Sequence, residues 1–167
     1  MLVCVVMGVA GCGKSTVGAA AAKHLNATYV DGDDLHPAAN IEKMSRGEPL
    51  NDEDRKPWLI AIGNTIRNAN VPLLIGCSAL KRSYRDLIRE TAGKPMSFLH
   101  LHGARNVLIE RMKSRPGHFM PVSLLDSQLD TLELPEPDEN AVQIDIDQPF
   151  DVVVSQSISA LSKLGPG

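Results

Sequence analysis

Apolar positions along the chain alternate between two periods. Residues 2–7 and 71–77 are apolar runs of the kind buried on both faces of a parallel sheet. Residues 27–31, 96–101 and 143–147 read as further strands. Between them the spacing turns helical: Val17, Ala20, Ala21 and Leu25 share one face, as do Trp58, Leu59, Ile62 and Ile66, and again Phe150, Val154, Ile158 and Leu161. Shorter helices are expected at 38–46, 81–90, 104–112 and 123–132, and the Trp58 helix is expected to begin between residues 52 and 57. Strand and helix in turn predict an open parallel sheet with crossover helices. Residues 35–54 and 113–121 are polar and proline-marked; the second, with Arg115-Pro116-Gly117-His118-Phe119-Met120-Pro121, reads as a flap. Residues 135–140 read as loop.

At 167 residues the chain is the size of one domain with a substantial core. A net charge of −3 supplies no basic field for nucleic acid, and the local clusters of arginine and lysine suit a small anion better. Cys4, Cys12 and Cys77 lack metal-ligand spacing and read as reduced thiols of a cytoplasmic protein; Cys12, at a helix start, is the one placed to react, although it reads first as a small residue filling a variable loop position. The opening apolar run has no charged leader and is too short to span a bilayer, so no signal peptide and no membrane association are expected.

The first strand runs into Gly8-Val9-Ala10-Gly11-Cys12-Gly13-Lys14-Ser15, the G-x-x-x-x-G-K-[ST] spacing of a phosphate-binding loop. Its glycines let successive N–H groups converge where a helix begins with its positive dipole end. Lys14 brings a cation to the β- and γ-phosphates, and Ser15 a hydroxyl to magnesium. Asp31, Asp33 and Asp34 follow the second strand, at the carboxyl edge of the sheet beside that loop. Asp31 suits the ordering of water around magnesium. Asp33 suits the uptake of a proton from an acceptor hydroxyl, and Asp34 reads as a solvated acidic cap. Arg55, near the single tryptophan, suits a bidentate hold on a carboxylate, with a surface salt bridge as the alternative. Lys81 and Arg85 share one helical face, open to an anion or to solvent. Arg111 and Arg115 lead into the flap, where arginines neutralise transition-state charge and exclude water, and His118 is a candidate substrate contact.

Taken in order, several blocks resemble the gluconate kinases, within the wider nucleoside-monophosphate and shikimate kinase-like group. They are Asp31-Gly32-Asp33-Asp34-Leu35-His36-Pro37, Asn40 with Lys43-Met44, Gly47-Glu48-Pro49-Leu50-Asn51-Asp52, and Asp54-Arg55 with Pro57-Trp58-Leu59. Cys77-Ser78-Ala79-Leu80-Lys81 with Tyr84-Arg85, and Gly117-His118-Phe119-Met120-Pro121 followed by Ser127-Gln128 and Leu132-Glu133, complete the set. The resemblance covers nearly the whole chain. It implies a three-layer α/β/α P-loop kinase fold with a five-stranded parallel sheet in the order 2-3-1-4-5. The single domain would occupy residues 1–164, with an acceptor-binding segment at about 33–60, a lid at about 113–121 and a tail at 165–167. The implied reaction is ATP-dependent phosphorylation of D-gluconate at its 6-hydroxyl, with Mg2+, in a homodimer.

By the same resemblance Lys14, Asp33 and Arg115 act in the reaction, and Ser15 and Asp31 serve the metal. ATP is expected against Gly8, Ala10, Gly11, Cys12, Gly13, Lys14, Ser15, Thr16, Arg111, Gln148 and Pro149. The acceptor is expected against Asp33, His36, Arg55, Lys81, Arg85 and His118. Cys12 stands where such kinases often carry serine, at a position whose backbone does the binding. A kinase for another small anion, such as shikimate or a nucleotide monophosphate, competes with this reading. The acidic turn with Arg55 and Trp58 separates the two. A nucleotide-dependent switch would need neither that turn nor an arginine-bearing flap.

Overall fold

Every residue of Val3–Met7 is apolar and buried, and this strand, β1, forms the middle of the sheet. The structure, a computed structural model, describes residues 1–114 and 122–164. Around β1 lie β2 (Thr28–Asp31), β3 (Leu73–Gly76), β4 (Ser97–His102) and β5 (Ala141–Asp145), all parallel, in the order β2-β3-β1-β4-β5. Val5 faces Ile75 on one side and Phe98 on the other, each fully buried. Burying side chains of this size stabilises by roughly 1.5–3 kcal/mol apiece, so the three central strands carry much of the core.

The connecting helices among the described residues are α1 (Lys14–His24), α2 (Ala38–Ser45), α3 (Asp52–Asn68), α4 (Arg82–Ala92), α5 (Arg105–Lys113), α6 (Val122–Thr131) and α7 (Phe150–Leu164). α1 packs on α7 over one face of the sheet, and α3 on α4 over the other. The apolar stripe expected from Trp58, Leu59, Ile62 and Ile66 is the buried face of α3. That helix starts at Asp52 because Asn51 caps it reciprocally with Asp54: Asn51 Oδ1 accepts the Asp54 N–H at 2.7 Å, and Asp54 Oδ2 accepts the Asn51 N–H at 2.9 Å.

The edges depart from the expected boundaries. β5 lies two residues earlier than 143–147, because the Asp145 carboxylate accepts the Asp147 N–H at 2.8 Å and turns the chain there. β3 begins at Leu73, since Pro72 has no N–H to give and Leu73 is the residue that donates to Leu2 O. Within residues 135–140 a short 3-10 turn, Pro137–Glu139, carries Glu139 into the interior. Phe150, expected on the buried stripe of α7, is half exposed, whereas Val154 and Leu161 are buried. Residues 115–121, with Arg115, His118 and most of the expected lid, and the tail 165–167 lie outside the described residues.

Candidate active site

At the carboxyl end of β1 the chain turns through residues 8–13 into α1. Gly13 occupies the helix cap with φ 90°, a left-handed conformation that costs glycine nothing. No side chain caps α1, so its first N–H groups and its positive dipole end are left for an anion. Lys14 Nζ folds back on the loop, donating to Gly8 O at 3.0 Å and Val9 O at 3.3 Å. The Gly8 N–H donates to Ser78 O at 3.2 Å, tying the loop to the turn after β3.

Beside the loop, Asp31 ends β2 and organises the acidic turn. Its Oδ1 accepts the Asp33 N–H at 3.0 Å and its Oδ2 the Ser15 hydroxyl at 3.4 Å. A hydroxyl and a carboxylate side by side form the hard-oxygen donor set that suits Mg2+. Among the described residues no cluster of three or more His, Cys, Asp or Glu competes as a metal site. Gly32 is required by close approach: a side chain there would run into Gly76 O and Ile62. Its carbonyl accepts the Trp58 indole N–H at 2.8 Å, which fixes the turn against α3. Asp33 and Asp34 are exposed, and Asp33 lines the cavity described below.

Arg55 is 7% exposed, which removes the surface salt bridge as its explanation. Its Nη1 donates to Tyr84 Oη at 2.9 Å, and the guanidinium lies 5.3 Å from the Tyr84 ring centre. Tyr84 in turn donates its proton to Asp52 Oδ1, and Lys81 Nζ reaches the same carboxylate at 3.1 Å. Among the described residues Tyr84 Oη is the only hydrogen-bond acceptor of Arg55, so the remaining donors of its planar fork are available. His36 stacks on Trp58 with ring centres 4.0 Å apart. Its Nδ1 lies 3.2 Å from the Asn40 amide nitrogen, and since an amide nitrogen only donates, the ring proton is on Nε2.

These parts share one cavity of about 390 Å³. Ala10, Gly11, Gly13, Lys14 and Ser15 form its loop side; Asp31 and Asp33 its acidic rim; His36, Arg55 and Trp58 its acceptor side; Leu124, Ser127 and Gln128 of α6 close it. Two expected acceptor residues stand elsewhere. Arg85 is fully buried and bound to Glu139, Nε to Oε1 at 2.6 Å and Nη2 to Oε2 at 3.2 Å, with Nη1 on the carbonyls of Ala79 and Leu80. It is a structural ion pair and not an anion contact, because α4 turns it inward where the spacing from Lys81 suggested a common face. Lys81 is committed to Asp52 and does not line the cavity. Arg111 Nη2 donates to Ile146 O at 2.8 Å and Gln148 O at 3.1 Å, which brings it to the Gln148-Pro149 turn after β5. Gly8 and Cys12 lie behind the loop surface, Cys12 at 3% exposure, and Thr16 is exposed and donates to Gly13 O. Burial pushes the Cys4 and Cys77 thiols up to about 12, leaving both unreactive.

Three residues of this arrangement have no role in the sequence reading. Gln128 and Ser78 line the cavity and Tyr84 anchors Arg55. Each falls in a block quoted above, but its partner is far along the chain, so local spacing carries no sign of the contact.

Burial, and next the Arg55 cation, pushes His36 down from 6.5 to about 4; burial, and next His102, does the same to His100. Both are therefore neutral in the folded protein at pH 7. Between pH 6.5 and 4 the unfolded chain binds protons that these folded histidines refuse, so stability rises with pH across that window and falls on acidification. Unfolding in urea at pH 5.5 is expected to show about 2 kcal/mol less stability than at pH 7. An unchanged midpoint would contradict the neutral, buried histidines.

The shikimate kinase family profile matches residues 10–158. The thermoresistant gluconokinase of Escherichia coli K12 is 49% identical over 164 residues, covering 95% of this chain and 93% of its own length. The gluconokinase of Gluconobacter oxydans is 45% identical, covering 92% of this chain and 88% of its own. Among solved structures, a gluconokinase from Sinorhizobium meliloti 1021 superposes with a TM-score of 0.91 at 49% identity, over 98% of this chain and 93% of that one. A shikimate kinase from Bacteroides thetaiotaomicron shares the fold, at a TM-score of 0.68 and 18% identity over 98% of this chain and 97% of that one.

Proposed function

We propose, from the premise that this chain belongs to the gluconokinases within the shikimate kinase-like family, that it transfers the γ-phosphoryl group of ATP to the 6-hydroxyl of D-gluconate. The observation that carries this reading is the single cavity joining a phosphate loop to a buried arginine across an acidic rim. The loop N–H groups and Lys14 hold the phosphates, and Ser15 and Asp31 are the residues that would hold Mg2+. When bound, that ion offsets phosphate charge as it builds toward the transition state. Arg55, with its fork held by Tyr84, takes the gluconate carboxylate, and neutral His36 offers a hydrogen bond to the polyol. Asp33 accepts the proton as the 6-oxygen forms its bond to phosphorus and ADP departs. Arg111, with Gln148 and Pro149, frames the adenine end. Arg115 and His118 are proposed to act from the lid, with the catalytic charge on Arg115.

Gluconate kinase activity, Mg2+ dependence, a homodimer and a cytoplasmic location together make up the proposal. Among the described residues no helix is long and apolar enough to cross a membrane. The test is a coupled assay for ADP with ATP, Mg2+ and a panel of sugar acids and shikimate. Gluconate is expected to be turned over far faster than the rest. No turnover with gluconate, or equal turnover of shikimate, would overturn the reading.

A further inference from the structure

Gln128 of α6 lines the cavity that also holds the acceptor side, and its contact with the phosphate loop fixes how its amide is turned. The Ala10 N–H lies 2.7 Å from Gln128 Oε1. A main-chain N–H only donates, so the atom facing it is the carbonyl oxygen and the Nε2 group is turned away from the loop. Gln128 lines the cavity with Ser127 and Leu124, and among the described residues neither Nε2 hydrogen has an acceptor. A half-buried amide pinned at one end thus offers two neutral donors at the loop end of the cavity, where an acceptor must bring its reacting hydroxyl.

In the reading above, phosphate oxygens are met by Lys14 and by loop N–H groups other than that of Ala10, which Gln128 already takes. A polyol is different: each carbon carries an oxygen that loses water on entering the cavity and needs a partner there. We propose that Gln128 determines acceptor specificity, its oxygen held by Ala10 and its Nε2 hydrogens bonding the hydroxyl next to the one that is phosphorylated. The proposal rests on the gluconate reading above, and it adds a second reading point to the carboxylate held at Arg55. Acceptors that present a carboxylate but lack an oxygen beside the reacting carbon are discriminated against here.

The test compares gluconate with 5-deoxygluconate for the wild type, Q128A and Q128E, with the affinity for ADP measured separately by calorimetry. Q128E keeps an oxygen for Ala10 but has no hydrogen to give. The wild type is expected to lose about 10- to 100-fold in kcat/KM on the deoxy acceptor, the usual effect of leaving a buried donor unpaired. Q128A and Q128E are expected to lose a similar factor on gluconate and to treat the two acceptors alike, with ADP affinity within about twofold of wild type. The ratio between acceptors is internal to each preparation, so a partly folded variant does not disturb it. Wild-type rates in Q128E, full discrimination in Q128A, or a loss carried by ADP affinity would each overturn the proposal. A wild type inactive on gluconate would instead fail the functional reading, and the proposal with it.

Discussion

Replacing Arg85 by alanine is expected to lower the stability of the fold by about 3–5 kcal/mol. Both side chains of the Arg85–Glu139 pair are fully buried. Burial opposes ionisation of Glu139, yet hydrogen bonds from Arg85, the Glu136 N–H and Arg89 hold its carboxyl down to about 2, so the charge persists in the interior. Removing Arg85 leaves buried Glu139 with Arg89 as its one cation among the described residues, and removing Glu139 leaves buried Arg85 with only the Ala79 and Leu80 carbonyls, so Glu139→Ala is expected to cost at least as much as Arg85→Ala. The pair Arg85→Met with Glu139→Leu, which removes both fully buried charges and leaves the partly exposed Arg89 its ion pair with Asp86, is expected to recover most of the loss. Urea titrations of the three variants test this, and additive losses in the double variant would contradict it. Arg85 also reaches the site indirectly. Its Nη1 holds the carbonyl of Ala79, a residue at φ 46°, and the neighbouring Ser78 both lines the cavity and accepts the Gly8 N–H. The ion pair therefore supports the turn on which the phosphate loop leans.

What was legible in the sequence follows from how local each signal is. β1 and β3 are read from residues 2–7 and 71–77 because strands buried on both faces need unbroken apolar runs, whatever their neighbours are. The phosphate loop is legible because its function needs adjacent residues in one order. β5 is an edge strand with exposed residues, so only the turn chemistry at Asp145 sets its end, and the pattern slips by two. Arg85 and Glu139 lie 54 residues apart, and Ala10 and Gln128 lie 118 apart. Pairings over such separations leave no periodicity. Helical spacing puts Lys81 and Arg85 on one face, yet Lys81 is the residue before α4, at its cap, and the two side chains diverge to Asp52 and Glu139. The family resemblance supplied the sheet order, which composition and spacing do not contain.

Asp33→Asn is expected to lower kcat for gluconate by about two to four decades, or roughly 2.7–5.4 kcal/mol of transition-state stabilisation, with ADP affinity within about twofold of wild type. The backbone of Asp33 is set by its N–H to Asp31 Oδ1 and by the short 3-10 turn Gly32–Leu35, neither of which uses the Asp33 carboxylate. Asparagine has nearly the same shape, so the turn, the Ser15–Asp31 contact and the loop are expected to stay as they are. What changes is the ability to accept a proton. An acceptor hydroxyl is a weak nucleophile until its proton can leave, and of the acidic residues beside the loop only Asp31 and Asp33 line the cavity. Asp31 is already engaged with Ser15 and the Asp33 N–H. Steady-state kinetics with both substrates varied, beside calorimetry with ADP, separates the outcomes. A loss confined to kcat assigns the proton to Asp33, whereas a loss confined to KM for gluconate makes it a positioning group. Near-normal turnover would remove Asp33 from the chemistry and leave Asp31 as the only cavity carboxylate among the described residues to take the proton, in conflict with the metal-binding role proposed for it.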